Sequence, residues 1–527
     1  MFYSAAVKGN ILALLKSSLI VSFMTLISRV LGLVRDVVIA TFVGAGVNAD
    51  VYLFANRIPN FLRRLFAEGA FAQAFVPVLS EVKEKHGDDA VRELVAKVSG
   101  TLGVIVLGLT AFAIVASPLI VMVFGTGWFI DWWQGGEDAA KFDMASALLK
   151  ITFPYLFFIT FVALSGAVLN VYNKFAVAAF TPVFLNISII ACAILFKDTF
   201  SDTAYALAIG VFVGGLVQFF FQWPFLAKAG LLVKPKWGWN DEHVKRIRLL
   251  MLPAILGVSV HQLNALVDTV IASFLMTGSI SWLYYADRLI EFPLGLFGIG
   301  IATVILPSLS KLHSTNNPAK FQETMDWALK MVLLMAFPAL AGLIVLGPLI
   351  IKILYTHGEF TATDGQQVYF ALIGYASGLV SYMTVKVLAP GYFARQDTKT
   401  PVRLGIIAML SNIVFNFMLA PFYGFVGLAI ATAMSATLNA GMLYWGLHQQ
   451  GVYRLSKATI GWIVRLVAAT TAMVFILEYI KRSGWFATES FWQESVMLFS
   501  LIGVAVVVYF VCLILFGTRK RHFRQGA

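Results

Sequence analysis

The chain has 527 residues, of which 59% are hydrophobic and 13% are charged, and its formal net charge is +12. Soluble domains average about 25% charged residues, so this composition excludes a soluble protein and predicts an all-α polytopic membrane protein. The basic excess does not predict a nucleic-acid partner, because lysine and arginine lie in short loops between apolar runs, where they report membrane topology.

Fourteen apolar runs are long enough to cross a bilayer, which requires about 20 helical residues. The loops between them are mostly short, so no soluble domain is expected. The predicted spans are roughly 12–43, 47–80, 94–124, 145–171, 177–196, 203–227, 246–276, 281–310, 325–354, 366–393, 400–420, 424–447, 459–480 and 495–516.

The basic residues are distributed unequally between the two sets of loops. If the N-terminus is inside, the cytoplasmic loops collect most of them, and both termini are cytoplasmic by the positive-inside rule. The basic residues on the opposite side are Lys141, Lys197, Lys481 and Arg482.

Two features are expected on the outer side of the membrane. Residues 125–143 form the longest outer loop, and we expect its tryptophans to lie at the membrane interface. Asp50 lies at the outer mouth of the second span, where it can act as a gate, a helix cap or a substrate contact.

No catalytic residue, metal site or cofactor site is predicted. Cys192 and Cys512 both lie in apolar runs, so they predict neither a disulfide framework nor metal binding. The sequence has no P-loop. The acidic pair Asp88–Asp89 lies on a charged cytoplasmic segment and is interpreted as a solvated surface.

An internal repeat relates the two halves of the chain. Four segments match in the same order: 36–42 with 268–274, 52–57 with 283–288, 76–80 with 306–310, and 172–183 with 392–402. Six spans per repeat predict two parallel six-helix lobes, related by an axis along the membrane normal. The expected division is 1–228 for the first lobe, 229–450 for the second, and 451–527 for two additional helices and a basic cytoplasmic tail.

The most charged apolar stretch is 28–81, which predicts two membrane helices joined by a short turn. A charge at bilayer depth costs between ~3 and ~15 kcal/mol, so a chain keeps it only where it faces water, a partner or a substrate. We therefore predict a hydrated cavity whose guanidinium groups clamp phosphate, because their fixed fork binds two oxygens at once. The arginines concerned are Arg29, Arg35, Arg63 and Arg288.

Further polar residues are secondary candidates for the same cavity. Asn56 and Asn60 share a helix face with Arg63. Arg64 and Glu68 can instead reach the lipid headgroups or pair with each other, and Arg35 can pair with Asp36. The secondary candidates are Asn56, Asn60, Arg64, Glu68, Asp287, Glu291 and Lys386.

Three segments carry a resemblance to a known family: SRVLGLVRD at 28–36, FLRRLFAEGAF at 61–71 and YYADRLIEFP at 284–293. They resemble the MurJ (MviN) family of bacterial lipid II flippases, within the multidrug/oligosaccharidyl-lipid/polysaccharide exporter superfamily, and the resemblance covers essentially the whole chain. It implies transport of undecaprenyl-diphosphate-linked disaccharide-pentapeptide from the inner to the outer leaflet of the bacterial cytoplasmic membrane.

The resemblance also implies roles for particular residues. Arg29, Arg35, Arg63 and Arg288 would line the central cavity and be needed for function, as would Asp50. The last two helices would form a groove that receives the lipid tail. The expected partners are lipid II, membrane lipids and the cell-wall synthesis machinery.

Three alternative functions make different predictions. A drug or cation exporter of the same superfamily predicts acids rather than arginines in the cavity. A membrane-embedded lipid-phosphate enzyme predicts an acid–metal or acid–base cluster at one leaflet. A structural scaffold predicts that Arg63 and Arg288 tolerate alanine.

Overall fold

The computed structural model describes residues 2–64, 71–483 and 490–519. These ranges form α-helices, short π-helical turns and connecting loops, without a β-strand, so the predicted all-α class is confirmed for them. Glu68, one of the predicted cavity residues, lies outside the described residues.

The chain divides by packing into an N-terminal unit, Met1–Gly278, and a C-terminal unit, Ser279–Ala527. This boundary falls later than the expected division after residue 228, because α11 packs on α3 in the N-terminal unit. The helices of the N-terminal unit are α1 (Phe2–Val43), α2 (Val47–Leu62), α3 (Phe71–Val115), α4 (Ser117–Phe124), α5 (Thr126–Gln134), α6 (Ala139–Thr152), α7 (Pro154–Val171), α8 (Phe175–Phe180), α9 (Pro182–Leu195), α10 (Thr203–Lys228) and α11 (Glu242–Ala272).

Local sequence explains where several of these helices begin. Proline lies in the first turn of α4, α7 and α9, where its missing N–H has no helical partner to lose. Asp241 caps α11 by accepting hydrogen bonds from the backbone N–H groups of His243 and Val244, at 3.0 and 3.3 Å.

Asp241 also connects α11 to α3. Its carboxylate accepts a hydrogen bond from Lys97 Nζ at 2.8 Å. Burial raises the pKa of the Asp241 carboxyl, but the hydrogen bonds from Lys97 and from the N–H of Val244 outweigh it and hold that pKa below its usual value.

The loop at residues 125–143, predicted to lie on the outer side, contains more helix than the sequence predicts. It contains α5, and Trp128 is only 1% exposed because its ring packs on Phe54, with centroids 5.0 Å apart. The expectation of an interfacial position is therefore wrong for Trp128. Trp133, by contrast, is 76% exposed.

The C-terminal unit is arranged around α14, which packs against α13, α15, α16, α18 and α19. The helices of this unit are α12 (Ser279–Pro293), α13 (Ile299–Ser314), α14 (Pro318–Tyr355), α15 (Ala362–Ala376), α16 (Leu379–Phe393), α17 (Lys399–Gln449), α18 (Lys457–Arg482) and α19 (Phe491–Leu515). A π-helical turn, Leu294–Gly298, joins α12 to α13.

The last two helices are attached to α14 at both ends. Near the start of α18, the buried Asp326 carboxylate of α14 accepts hydrogen bonds from the hydroxyls of Thr459 at 2.6 Å and Tyr453 at 3.0 Å. At the other end of α14, Lys352 pairs with the buried Glu494 of α19. Polar contacts of this kind position α18 and α19, because a buried charge without partners would be costly.

Among the described residues, ten helical stretches are long and apolar enough to span a membrane. Two of them run through kinks, at Gly87 with φ 78° and at Gly424 with φ 56°. The second kink lies between the predicted eleventh and twelfth spans, at the first residue of the twelfth. The ten stretches are Phe71–Val115, Ala139–Val171, Phe175–Leu195, Thr203–Lys228, Ser279–Ser314, Pro318–Tyr355, Ala362–Phe393, Lys399–Gln449, Lys457–Arg482 and Phe491–Leu515.

Candidate functional site

The predicted arginines of α1 differ in their surroundings. Arg29 is exposed and forms no hydrogen bond or ion pair with the residues that the structure describes. Arg35 is largely buried and donates to Asp36 Oδ1 from both Nε, at 3.0 Å, and Nη2, at 2.7 Å. The sequence left two roles open for Arg35, a position in the cavity or a pair with Asp36, and the structure contains the pair.

Asn186 of α9 completes this arrangement. Its side-chain carbonyl accepts from Arg35 Nη1 at 3.1 Å, and its amide donates to the carbonyl of Ser28 at 3.2 Å. Asn186 thus fixes Arg35 and the α1 backbone together. Sequence analysis missed this residue, although a polar side chain in an apolar span was a usable signal.

A chain of hydrogen bonds follows one face of α2. Asn60 Nδ2 donates to Asn56 Oδ1 at 3.0 Å, and Arg63 Nε donates to Asn60 Oδ1 at 3.0 Å. The predicted shared face of these three residues is confirmed. The two amides hold the half-buried guanidinium of Arg63 in a defined orientation, which is useful for binding an anion in a fixed position.

Asp50 lies in the first turn of α2 and is only 2% exposed. The N-cap of α2 is Gly46, so Asp50 does not cap this helix. Its carboxylate instead accepts from the backbone N–H of Gly278 at 2.6 Å. This contact joins the start of α2 to the loop that ends the N-terminal unit.

Two further arginines of the N-terminal unit contact α11. Arg57 Nη1 donates to Thr269 Oγ1 at 2.7 Å, a link that sequence analysis did not predict because the residues lie far apart in the chain. Arg64 is exposed and donates to Gln262 Oε1 at 3.4 Å. The predicted alternative that Arg64 pairs with Glu68 falls outside the described residues.

The candidates of the C-terminal unit lie on α12 and α16. Arg288 Nη1 donates to Glu291 Oε2 at 2.7 Å, and Arg288 Nη2 donates to the Tyr284 hydroxyl at 3.2 Å. Asp287 is exposed. Lys386 of α16 is exposed too, and its aliphatic stem lies beside Gly298 of the π-helical turn.

π-Helical geometry occurs in both units. Arg63 and Arg64 are π-helical, and the turn Leu294–Gly298 begins at the residue that the predicted repeat matches with Arg63. π-Helical turns are rare and occur frequently at functional sites. Their matching positions mark the ends of α2 and α12 as equivalent candidate regions.

One cation on the additional helices was not predicted. Arg465 lies half-buried on α18, eight residues after Lys457, and forms no hydrogen bond or ion pair within the described part of the chain. An arginine in an apolar helix was a visible signal, since burying its charge in a membrane is costly.

Solved structures of transporters share this architecture. An inward-facing multidrug resistance MATE family transporter of the MOP superfamily matches 82% of this chain and 98% of its own, with a TM-score of 0.67 and 14% identity. That identity shows the fold alone. The fold and its charged helices define a polytopic helical membrane protein that shares its fold with that structure.

Sequence comparisons identify the family within that class. The family described as lipid II flippase MurJ matches residues 39–506. A relative in Vibrio cholerae, named a probable lipid II flippase MurJ, is 57% identical over 516 residues, 97% of this chain and 98% of the relative. A lipid II flippase MurJ of Burkholderia cenocepacia is 36% identical over 520 residues, 98% of this chain and 99% of the relative.

A solved structure agrees with these relatives. The inward closed conformation of a lipid II flippase MurJ has a TM-score of 0.78 and 30% identity, and the match covers 94% of this chain and 98% of that one. The chain belongs to the MurJ family.

Proposed function

We propose that this chain is a flippase that moves lipid II from the inner to the outer leaflet of the bacterial cytoplasmic membrane. The observation that carries this proposal is the similarity, over nearly the whole chain, to proteins named lipid II flippase MurJ. Lipid II combines a diphosphate with a large sugar–peptide head and a long apolar tail, so its transport requires a positive site beside the bilayer.

The arginines supply that positive site in our proposal. Arg29 is exposed on a membrane helix without a described partner, and Arg63 is oriented by Asn60. Arg35 is balanced by Asp36, so it contributes less net charge. We assign the first contact with diphosphate to Arg29 and Arg63, with Arg288 as the contribution of the second repeat.

Alternating access is the proposed mechanism. Two parallel six-helix lobes, 1–228 and 229–450, would rock about the cavity, and the two additional helices within 451–527 would guide the lipid tail. The π-helical turns at matching positions of the predicted repeat support this organisation, as do the kinks that divide α3 and α17. The ten apolar stretches become twelve when each kinked one is counted as two, and α1 and α11 complete the fourteen spans of our proposed topology.

The proposed orientation places both termini in the cytoplasm. It rests on the distribution of lysine and arginine among the loops. The head of lipid II would enter from the cytoplasmic side and leave on the opposite side, while its tail stays among membrane lipids. Contacts with the cell-wall synthesis machinery remain a prediction.

The alternative functions receive less support. A cation exporter would be disfavoured by the arginines of α1 and α2. For the lipid-phosphate enzyme, the acidic pair is already engaged: Asp88 accepts from the Tyr172 hydroxyl at 2.6 Å, and Asp89 pairs with Arg92 at 3.1 Å. A scaffold gives no reason for Asn60 to orient Arg63.

The test uses bacterial cells in which this protein is the sole lipid II flippase and can be depleted. Depletion should leave lipid II protected from an externally added lipid II-cleaving enzyme, and re-expression should restore cleavage. If lipid II stays equally accessible after depletion, the proposed function is wrong.

A further inference from the structure

An open trench lies between α4 and α6 in the N-terminal unit. Its volume is about 450 Å³. Leu119 and Met122 of α4 form one wall, and Phe129 and Trp132 of α5 lie at one end. The opposite wall is a single stripe of α6 that runs from Asp143 to Lys150. Neither the proposed cavity nor the proposed tail groove includes these residues.

The floor of the trench is fixed by a buried contact between the two helices. Ser117 Oγ of α4 and Ser146 Oγ of α6 are 3.2 Å apart, and both side chains are buried. Ser146 also lines the trench. This buried hydrogen bond joins α4 to α6 below the trench.

The two ends of the α6 stripe carry opposite charges. Asp143 and Lys150 are both exposed and lie seven residues apart, so they share a helix face and are separated by about 10 Å along its axis. Asp143 accepts from Trp132 Nε1 at 3.2 Å. Lys150 makes no hydrogen bond or ion pair to any described residue.

The wall opposite the α6 stripe and the α5 end of the trench are apolar and open. Leu119 is 59% exposed, and Met122 and Trp132 are also exposed. In the proposed topology this face meets the hydrocarbon of the outer leaflet, and Trp132 lies near the headgroups, where tryptophan is enriched. Lys150 lies deeper, and its long stem allows its ammonium group to reach outward.

We propose that this trench binds one phospholipid with a phosphoethanolamine headgroup. The primary ammonium of the headgroup would donate to Asp143, its phosphate would accept from Lys150, and an acyl chain would lie along Leu119 and Met122. A zwitterion fits because the trench presents one carboxylate and one ammonium that are not paired with each other. Phosphocholine lacks N–H donors for Asp143, and an anionic headgroup would meet the Asp143 carboxylate without an ammonium to neutralise it.

This inference goes beyond the proposed transport function and depends on it only for the choice of leaflet. Lipid binding at the trench does not require lipid II to be transported. A failure of the lipid test would therefore leave the flippase proposal intact, and the reverse also holds.

The test is native mass spectrometry of the full-length, delipidated protein with equal amounts of palmitoyl-oleoyl phosphatidylethanolamine, phosphatidylcholine and phosphatidylglycerol. The wild type should retain phosphatidylethanolamine preferentially. Lys150→Gln should lower that retention roughly tenfold, because a charge-assisted hydrogen bond is lost. Asp143→Asn should shift the preference to phosphatidylglycerol, since Lys150 then faces the phosphate without a nearby carboxylate.

Two further variants separate the trench from general effects. Met122→Trp should block the trench and lower retention of all three lipids without changing charge. Lys197→Gln removes an exposed lysine that is predicted on the same side of the membrane but does not line the trench, and it should leave retention unchanged.

Several outcomes would overturn the proposal. Equal retention of the three lipids by the wild type would mean that the charges do not select the headgroup. Unchanged selectivity in Asp143→Asn, or unchanged retention in Lys150→Gln, would exclude the assigned contacts. The spectra could instead show a dimer that carries no lipid. If Met122→Trp disrupts that dimer, the occupant of the trench is a second copy of the chain.

Discussion

The Nε–H of Arg63 donates to the side-chain carbonyl of Asn60 across 3.0 Å, one turn earlier on the same face of α2. Asn60 donates in turn to the side-chain carbonyl of Asn56. A guanidinium on a flexible stem has many rotamers, and fixing it costs conformational entropy. The two asparagines reduce that cost before any substrate binds, which is a form of pre-organisation.

The first prediction concerns this orientation. Asn60→Ala should slow lipid II translocation several-fold, because Arg63 loses the acceptor that positions its Nε–H. If Asn60 acts through Arg63, the double variant Asn60→Ala/Arg63→Ala should be no slower than Arg63→Ala alone. Additive losses in the translocation assay would show that Asn60 acts independently of Arg63.

The second prediction distinguishes the remaining roles of Asp50. Asp50→Ala leaves the N–H of Gly278 without its buried acceptor and should destabilise the protein by about 1–3 kcal/mol. Asp50→Asn keeps a carbonyl acceptor and should cost less. The measurement is thermal unfolding in detergent, followed by tryptophan fluorescence. If Asp50→Ala melts at the same temperature as the wild type but no longer translocates lipid II, Asp50 acts as a gate or a substrate contact instead.

The third prediction concerns the pH dependence of stability. The pKa of Asp241 is lower in the folded protein than its usual value, so its carboxylate stabilises the fold above the unfolded pKa of about 3.9. That contribution is lost as the pH falls through the lower, folded pKa. The stability advantage of the wild type over Asp241→Asn should therefore be present at about pH 6 and shrink below about pH 4.

Lys97 provides the matched test of the same pair. Lys97→Met removes the donor that lies 2.8 Å from Asp241, so most of the pH-dependent advantage should disappear in this variant too. Melting temperatures of the three proteins across the pH range check this. Curves for wild type and Asp241→Asn that stay parallel down to about pH 3 would show that Asp241 contributes no pH-dependent stability.

The fourth prediction concerns the driving force of transport. Moving one elementary charge across ~100 mV is worth about 2.3 kcal/mol. The head of lipid II is anionic, so an inside-negative potential should assist its outward movement. Collapse of the potential with an ionophore should slow the appearance of cleavable lipid II. An unchanged rate would mean that charge movement does not contribute to transport.

The sequence predicts the parts of this protein that depend on local pattern. The apolar runs predict an all-helical membrane protein, and the spacing of Asn56, Asn60 and Arg63 predicts their shared face. The adjacent charges Arg35 and Asp36 give an ion pair as one alternative for Arg35, and the structure contains that pair. These features depend on helical periodicity or on neighbours in the chain, and both can be read from the sequence.

The sequence does not predict which distant residues contact each other, even where a polar side chain in an apolar span marks one of the partners. Asn186 meets Arg35, and Thr269 meets Arg57, only because α1, α2, α9 and α11 pack in one unit. The burial of Trp128 depends in the same way on Phe54. Hydropathy alone assigns such a tryptophan to the interface, because a hydropathy pattern does not show which aromatic rings contact each other.

The most direct test of the central claim is the leaflet position of lipid II in cells that rely on this protein alone, with Arg29→Ala and Arg63→Ala compared at equal expression. Arg92→Ala removes an exposed arginine that our proposed orientation places on the cytoplasmic side, and it serves as the control. We predict that lipid II stays protected from the external cleaving enzyme in both membrane variants, while cleavage in the Arg92→Ala control matches the wild type. Wild-type cleavage in Arg29→Ala and Arg63→Ala would contradict the account and make these arginines structural.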